Sequence, residues 1–231
     1  MRLKDKVAIV TAGAGAGIGR TAAGMMAGEG ARVVVADMHE QRAVQTALTI
    51  QDKYGVETIG IKCDVTSPDD VKGVVETTLN RFGRIDILLN NAGTNRPMKI
   101  VDMKDETWDL VVNTSLKGTF YCTRAVLPAM MEQEHGRIVN IASVAGFRGL
   151  DGGHSHYAAV KAGVMAFTRC LAMEAARYRI TANTIAPSFI YNEFIPNIYP
   201  GRDRKNAFRN TLSQKRHAGG YRQHGLIPGL G

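Results

Sequence analysis

The chain has 231 residues, 45% of them hydrophobic, with a formal net charge of +8 and a pI near 9.5. That length and apolar content suit one large α/β domain with a real core, and no apolar run reaches the length of a membrane span. The N-terminus MRLKDKVAIV lacks the apolar stretch of a secretory signal, and the three scattered cysteines (Cys63, Cys122, Cys170) suit reduced thiols in a cytoplasmic protein better than a disulfide framework or a zinc site.

Six short apolar, β-branched runs read as buried parallel strands: KVAIVT, ARVVVAD, ETIGIKCDV, RIDILLNNAG, GRIVNIAS and RITANTIAP. Between them the spacing predicts helices over 17–29, 39–53, 68–82, 105–133 and 155–177. The third helix has the clearest start, with Ser67 as N-cap, Pro68 in the first turn, and Asp69 and Asp70 near the positive end. Strand–helix alternation of this kind predicts an α/β fold built on a doubly wound parallel sheet, with ligands at the carboxyl ends of the strands.

TAGAGAGIGR follows the first strand directly. Gly13, Gly15, Gly17 and Gly19 allow a tight turn and close approach of a ligand, and the next helix aims its N–H groups at a phosphate. The Lys-Ser/Thr ending of a P-loop is missing, which disfavours ATP and GTP. Asp37 ends the second strand eighteen residues beyond Gly19, the spacing of a carboxylate that binds adenosine ribose hydroxyls and repels a 2′-phosphate. NAD is therefore expected over NADP, although Arg20 and His39 are cations that can accommodate the extra phosphate. Asp64 reads equally as an acceptor for the adenine amino group and as a turn carboxylate before a helix. In NNAG, the asparagines can tie strand ends together, and Ala92 and Gly93 leave room for a cofactor.

SHYAAVKAG puts Tyr157 and Lys161 at i and i+4, on one helix face. A free tyrosine, with a pKa of about 10, is a poor base near neutrality, and a nearby ammonium stabilises its phenolate. Tyr157 is then suited to exchange a proton with an alcohol or ketone oxygen, with Ser143 donating to the same oxygen. Asn113 is placed to hold a water linking Lys161 to solvent.

The ordered set of glycine loop, NNAG, Ser143 and Tyr157-x-x-x-Lys161 resembles the short-chain dehydrogenase/reductase family over roughly residues 5–199. The resemblance implies a single Rossmann-type domain in which a nicotinamide exchanges hydride with a carbonyl or secondary alcohol. It implies Tyr157 as acid/base, Lys161 as the residue that lowers its pKa and binds the nicotinamide ribose, Ser143 as the substrate-oxygen donor and Asn113 as the proton-relay asparagine. It places Gly13, Gly17, Ile18, Gly19, Asp37, Asp64, Val65, Asn91, Ala92, Gly93 and Pro187 along the cofactor. Such members act as homo-oligomers, often homotetramers, on carbonyl or alcohol substrates that include acyl thioesters. Three departures stand out. Ala12 occupies the usual threonine position with Thr11 one place early, Ser188 replaces a glycine after Pro187, and Asn192 stands near a usual threonine.

Residues 201–231 carry seven basic residues against one acidic, a net +6 that leaves the first 200 nearly balanced. Periodicity stops near Pro200, so a dehydrogenase domain over 1–200 and a basic tail over 201–231 are expected. Shifting permitted codons for residues 216–230 by one base yields Gly-Thr-Pro-Glu-Asp-Ile-Ala-Asn-Thr-Val-Leu-Phe-Leu-Ala-Ser, the segment the family would place there. The tail is thus expected to be frameshift-derived, the usual last strand to be missing, and activity to be weak. The alternative is a non-catalytic nucleotide sensor or nucleic-acid binder using the basic tail. Nucleic acid is disfavoured because the tail offers only Phe208 and Tyr221 for stacking.

Overall fold

All six apolar runs form parallel strands: β1 (Val7–Thr11), β2 (Arg32–Asp37), β3 (Thr58–Lys62), β4 (Ile87–Asn90), β5 (Gly136–Ile141) and β6 (Ile180–Ile185). Their order is β3-β2-β1-β4-β5-β6, so this is a single Rossmann-type, doubly wound α/β sheet. The computed structural model describes residues 1–188 and Ile190. The basic tail with its shifted frame, the missing last strand, the boundary at 200 and Asn192 all lie outside the described residues.

The helices α1 (Ile18–Gly28), α2 (Glu40–Tyr54), α3 (Pro68–Phe82), α4 (Asp105–Val112), α5 (Gly118–Glu132) and α6 (Ser155–Ala175) cover the two faces. Strand side chains alternate between them with period two. Val34 and Ala36 of β2 join a core with Val71, Val74 and Val75 of α3, Cys122 and Val126 of α5, and Leu171 of α6. Val33 and Val35 face Ala23 and Ala27 of α1 and Ala43, Ala47 and Ile50 of α2. Burial on both faces is why these strands are apolar throughout rather than alternating with polar residues.

Local signals act as expected at α3. Ser67 Oγ accepts a 3.2 Å hydrogen bond from Asp70 N and donates to Asp70 Oδ1, closing the first turn. The continuous helix expected over 105–133 is instead interrupted. Asn113–Lys117 form a π-turn between α4 and α5, in which Gly118 N donates to Asn113 O five residues back.

The amino end of the sheet is closed by Asp86, a fully buried carboxylate. It accepts hydrogen bonds from Val7 N (3.0 Å) and, in a bidentate pair, from Arg84 Nε (2.8 Å) and Nη2 (2.6 Å), while Lys6 Nζ lies at 3.3 Å. Its backbone bonds Val7 O and Arg137 N, so one residue joins β1, β4 and β5. Burial pushes its carboxyl up, but the Arg84 hydrogen bonds, Val7 N and Lys6 outweigh that and hold it below the usual range. Its stabilisation is therefore present above the ordinary carboxylate pKa of 3.8 and is lost as pH falls below it. Removing the carboxylate leaves the buried Val7 amide without its acceptor and takes the partner from Arg84, whose side chain is partly exposed. Asp86→Ala is expected to lose about 1–3 kcal/mol at pH 7, read from urea denaturation midpoints, and a loss under about 0.5 kcal/mol would contradict this assignment.

Candidate active site

The strand order reverses between β1 and β4, whose carboxyl ends open on the same edge. There Thr11 and Asn91 exchange hydrogen bonds. Thr11 Oγ1 accepts from Asn91 N (2.9 Å) and Ala92 N (3.1 Å) and donates to Leu89 O (3.3 Å). Asn91 Nδ2 donates to Thr11 O (3.0 Å) and Ala12 O (3.1 Å). Ala12 takes a left-handed backbone with φ 48.

The glycines of this loop differ in what they permit. A Cβ on Gly19 would lie 2.5 Å from both Ala12 O and Asn91 Nδ2, so only glycine lets α1 start against the β1–β4 tie. A Cβ on Gly13 would lie 2.9 Å from Val10 O, whereas one on Gly15 would meet nothing within 4 Å. Gly17 caps α1 and Ile18 is its first residue, which directs free N–H groups into the crevice.

Asp37 is buried at the end of β2 and faces this loop. Its Oδ2 accepts from Ala14 N (3.2 Å), its Oδ1 accepts from His39 N (3.1 Å), and Arg42 stands 4.0 Å away. Burial raises its carboxyl above the usual range against the opposing pull of Ala14 N and Arg42. Asp64 closes a turn, with Oδ1 accepting from Thr66 N (2.9 Å) and Thr66 Oγ1 (2.8 Å). Val65 beside it is buried and packs so closely on Gly118 that a Cβ there would come within 2.8 Å. Pro187 follows β6, and its carbonyl accepts from Val144 N at 3.0 Å.

The polar side chains gather beyond β5. Ser143 is extended, and its Oγ accepts from Ala145 N at 3.2 Å. From the first turns of α6, Lys161 Nζ sits 5.6 Å from the centroid of the Tyr157 ring and donates to Ile141 O at 2.7 Å. Gly93 brings β4 to the same point: a Cβ there would lie 3.3 Å from Lys161 Nζ and 3.2 Å from Ser115 Oγ. Ser115 is buried and accepts from Thr94 N at 3.2 Å. Asn113 is half-buried; its backbone N–H donates to Asp109 O and Leu110 O, and its carbonyl accepts from Gly118 N. Sequence reasoning missed Ser115 because a π-turn leaves no mark in a helical apolar period. It also missed the 3.0 Å hydrogen bond between Asn95 Nδ2 and His154 Nδ1, which ties the loop after β4 to the start of α6.

Lys161 is 4% exposed, and its burial pulls the ammonium down from 10.5 to about 8. Below pH 8 the folded protein carries a poorly solvated charge, a penalty of roughly 3 kcal/mol. Between 8 and 10.5 the unfolded chain holds the proton that the folded chain has released, so stability rises with pH across this window. Lys161→Met is expected to be more stable than the parent at pH 7 by about 1–2 kcal/mol, because the unpaired Ile141 carbonyl offsets part of the relief. It should also lose the rise between pH 8 and 10.5. Urea midpoints across that range check this, and a destabilised variant that keeps the slope would contradict it.

A family model described as short chain dehydrogenase matches residues 6–202. A hydroxy-methyl-oxo-hexahydroindene-carboxyl-CoA reductase of Mycobacterium tuberculosis is 44% identical over 194 residues, which is 84% of this chain and 74% of its own. A 3-oxoacyl-acyl-carrier-protein reductase of Escherichia coli is 42% identical over 190 residues, 82% of this chain and 75% of its own. A crystal structure of a short chain dehydrogenase from Mycobacterium smegmatis, 44% identical, matches with a TM-score of 0.78 over 82% of this chain and 79% of its own. The chain belongs to the short-chain dehydrogenase family of oxidoreductases, whose members bind a nicotinamide cofactor.

Proposed function

We propose that the protein is an NAD-dependent oxidoreductase that interconverts a carbonyl and a secondary alcohol, with Tyr157 as the acid/base. The observation that carries this reading is the buried Lys161 amine, set over the Tyr157 ring and against Gly93 at the mouth of the glycine cradle. The cradle fits a dinucleotide. Gly19 leaves no room for a Cβ, α1 directs its free amides outward, and Asp37 stands at the end of β2. Gly13, Gly17, Ile18 and Gly19 would hold the pyrophosphate side and Asp37 the adenosine ribose. Asp64 and Val65 would border the adenine, and Asn91, Ala92, Gly93 and Pro187 would flank the nicotinamide half. A bound nicotinamide supplies or accepts the hydride.

The side chains handle the proton. Tyr157 donates to the carbonyl oxygen in reduction and accepts from the hydroxyl in oxidation, while Ser143 hydrogen-bonds the same oxygen. The Lys161 ammonium stabilises the phenolate that remains. A buried carboxylate at Asp37 favours ribose hydroxyls over a 2′-phosphate, which supports NAD over NADP. Arg42 beside it limits the size of that preference.

The M. tuberculosis and E. coli relatives are named for acyl thioesters, which supports as substrate a ketone or secondary alcohol carried on the acyl chain of a thioester. The sequence FIYNEFIPNIY, with Phe189, Phe194, Ile195 and Ile198, suits an apolar substrate pocket, and these four residues lie outside the described residues. Exposed Trp108, Phe120 and Met173 support a homo-oligomer. No helix among the described residues is long and apolar enough to cross a membrane, and free Cys63, Cys122 and Cys170 support a reducing, cytoplasmic setting. Because the segment after Pro200 reads as frameshifted, turnover is expected to be low and is best assayed in single turnovers. Tyr157→Phe should lower the reduction rate by about 10²–10⁴-fold while NADH binding, read by nucleotide fluorescence, changes little. NADH should bind more tightly than NADPH. Reduction that survives the substitution would overturn the acid/base assignment.

A further inference from the structure

We propose that Asn140 is a positioning residue for the reaction: its side-chain amide sets the height of α6 against β5, and with it the placement of Tyr157 and Lys161. The inference rests on the reading of those two residues given above. Asn140 acts through the helix that carries the acid/base, and it makes and breaks no bond in the reaction itself.

Asn140 is fully buried, and both ends of its amide are engaged. Oδ1 accepts from Asn90 Nδ2 at 2.8 Å, and Nδ2 donates to Thr168 Oγ1 at 2.9 Å. Asn90 Nδ2 also donates to Thr123 Oγ1 at 3.1 Å, and Thr168 Oγ1 donates to Val164 O at 2.6 Å, one turn back along α6. Four buried polar side chains thus join β4, β5, α5 and α6. Their surroundings are apolar: Leu88 and Ile138, two residues back on the same strands and the same face, pack in one core with Val126 and Leu171. Asn90 Oδ1 has no partner among the described residues, so the cluster does not recover the full cost of leaving water. Apolar groups of the same shape would hold the layers together as well. What they would lack is direction. Packed apolar faces can slide, whereas a hydrogen bond fixes which residue of α6 stands against which residue of β5.

That register reaches the candidate active site. Asn140 and Ile141 are consecutive on β5, and each holds α6 once, Asn140 Nδ2 at Thr168 and Ile141 O at Lys161 Nζ. Lys161 and Thr168 are seven residues apart, about 10 Å along one face of the helix. Helix and strand run in opposite directions in a parallel βαβ unit, so the later helix residue meets the earlier strand residue. The Lys161 tie is made by a flexible four-carbon stem, whereas the Asn140 tie joins two short side chains and gives less slack. Tyr157 lies one turn before Lys161 on the same face, so a slip of α6 would carry both away from Ser143 and Gly93. The far side of the cluster is fixed as well, because Asn90 precedes Asn91, which holds the carbonyls of Thr11 and Ala12. Tyr157 is the titratable group in contact with the Lys161 amine, whereas β4, β5 and the π-turn contribute Gly93, Ile141 and Ser115, none of them ionisable.

The test compares, in the full chain, Thr168→Val, which keeps the shape and removes the hydroxyl, with Thr168→Ser, which keeps the hydroxyl. Thr78→Val is the control, since it removes from α3 a buried hydroxyl that bonds Val74 O at 2.6 Å. Lys161 is titrated by NMR with ¹³C at lysine Cε, the signal assigned from Lys161→Met and no cofactor or substrate added. A slipped α6 admits water to the amine that burial holds at about 8. In Thr168→Val the Lys161 midpoint should therefore rise by about half a pH unit or more. The single-turnover reduction rate should fall by about 10–100-fold, while the NADH Kd stays in place because the glycine loop is untouched. Thr168→Ser should restore both, and Thr78→Val should lower the urea midpoint and move neither. Should Thr168→Val fail to fold, Asn140→Ser, too short to reach Thr168, is read the same way. A variant that is destabilised but keeps the parent's Lys161 midpoint and rate reveals a merely structural tie and overturns the proposal, as does a Thr78→Val that moves them equally. Turnover surviving Tyr157→Phe sinks the parent reading, whereas an unmoved midpoint and rate in Thr168→Val sink only this one.

Discussion

The Thr11–Asn91 exchange is the interaction on which the rest of the site depends. A doubly wound sheet must reverse its strand order somewhere, and here the reversal leaves β1 and β4 diverging into connections on opposite faces. Without this cross-tie, the loop after β1 would be held only from the β2 side, through Gly13 N and Ala14 N. Asn91 holds the carbonyls of Thr11 and Ala12, and Thr11 holds the amides of Asn91 and Ala92. That fixes Ala12 in its left-handed conformation and puts Gly19 where only a hydrogen atom fits. It also sets the position of Gly93, on which Lys161 and Ser115 converge. The glycine loop and the Tyr157–Lys161 pair are thus joined through one pair of side chains.

The two ends of the sheet resolve buried charge in opposite ways. At the amino end Asp86 is matched by Arg84, Lys6 and an amide, so its charged form is favoured by the fold. At the carboxyl end Lys161 has a carbonyl and an aromatic face but, among the described residues, no carboxylate, so burial disfavours its charged form. The first arrangement suits a group that only holds strands together. The second keeps an amine able to give up and regain a proton near neutral pH, which is what a relay needs. Stability is forgone at the functional end and supplied at the other.

Much of this was legible in the sequence because the signals were local. Continuous β-branched runs identified the six strands, and Ser67-Pro68 with Asp69 and Asp70 marked the start of α3. Tyr157 and Lys161 at i and i+4 could only share a helix face. What was hidden depends on contacts between distant residues. Nothing in RID marks Asp86 as the tie between β1, β4 and β5, because its partners Val7 and Arg137 come from other strands. The π-turn at Asn113–Lys117 is a one-residue shift in hydrogen bonding, invisible to apolar periodicity, and it sets Ser115 against Gly93. Asp64 read equally well as a ligand or a turn residue, and its bonds to Thr66 show that the turn role is filled whatever else it does.

The account as a whole claims that these residues assemble around hydride exchange with a carbonyl carbon. The most direct measurement is isotope transfer. The full-length chain would be incubated, in excess over substrate, with NADH deuterated at nicotinamide C4 and a short 3-oxoacyl thioester, and the product examined by mass spectrometry. The account predicts a 3-hydroxyacyl thioester carrying one deuterium on the carbinol carbon. A protein that binds the dinucleotide yet yields no deuterated alcohol, from this thioester or from simpler ketones, would contradict it.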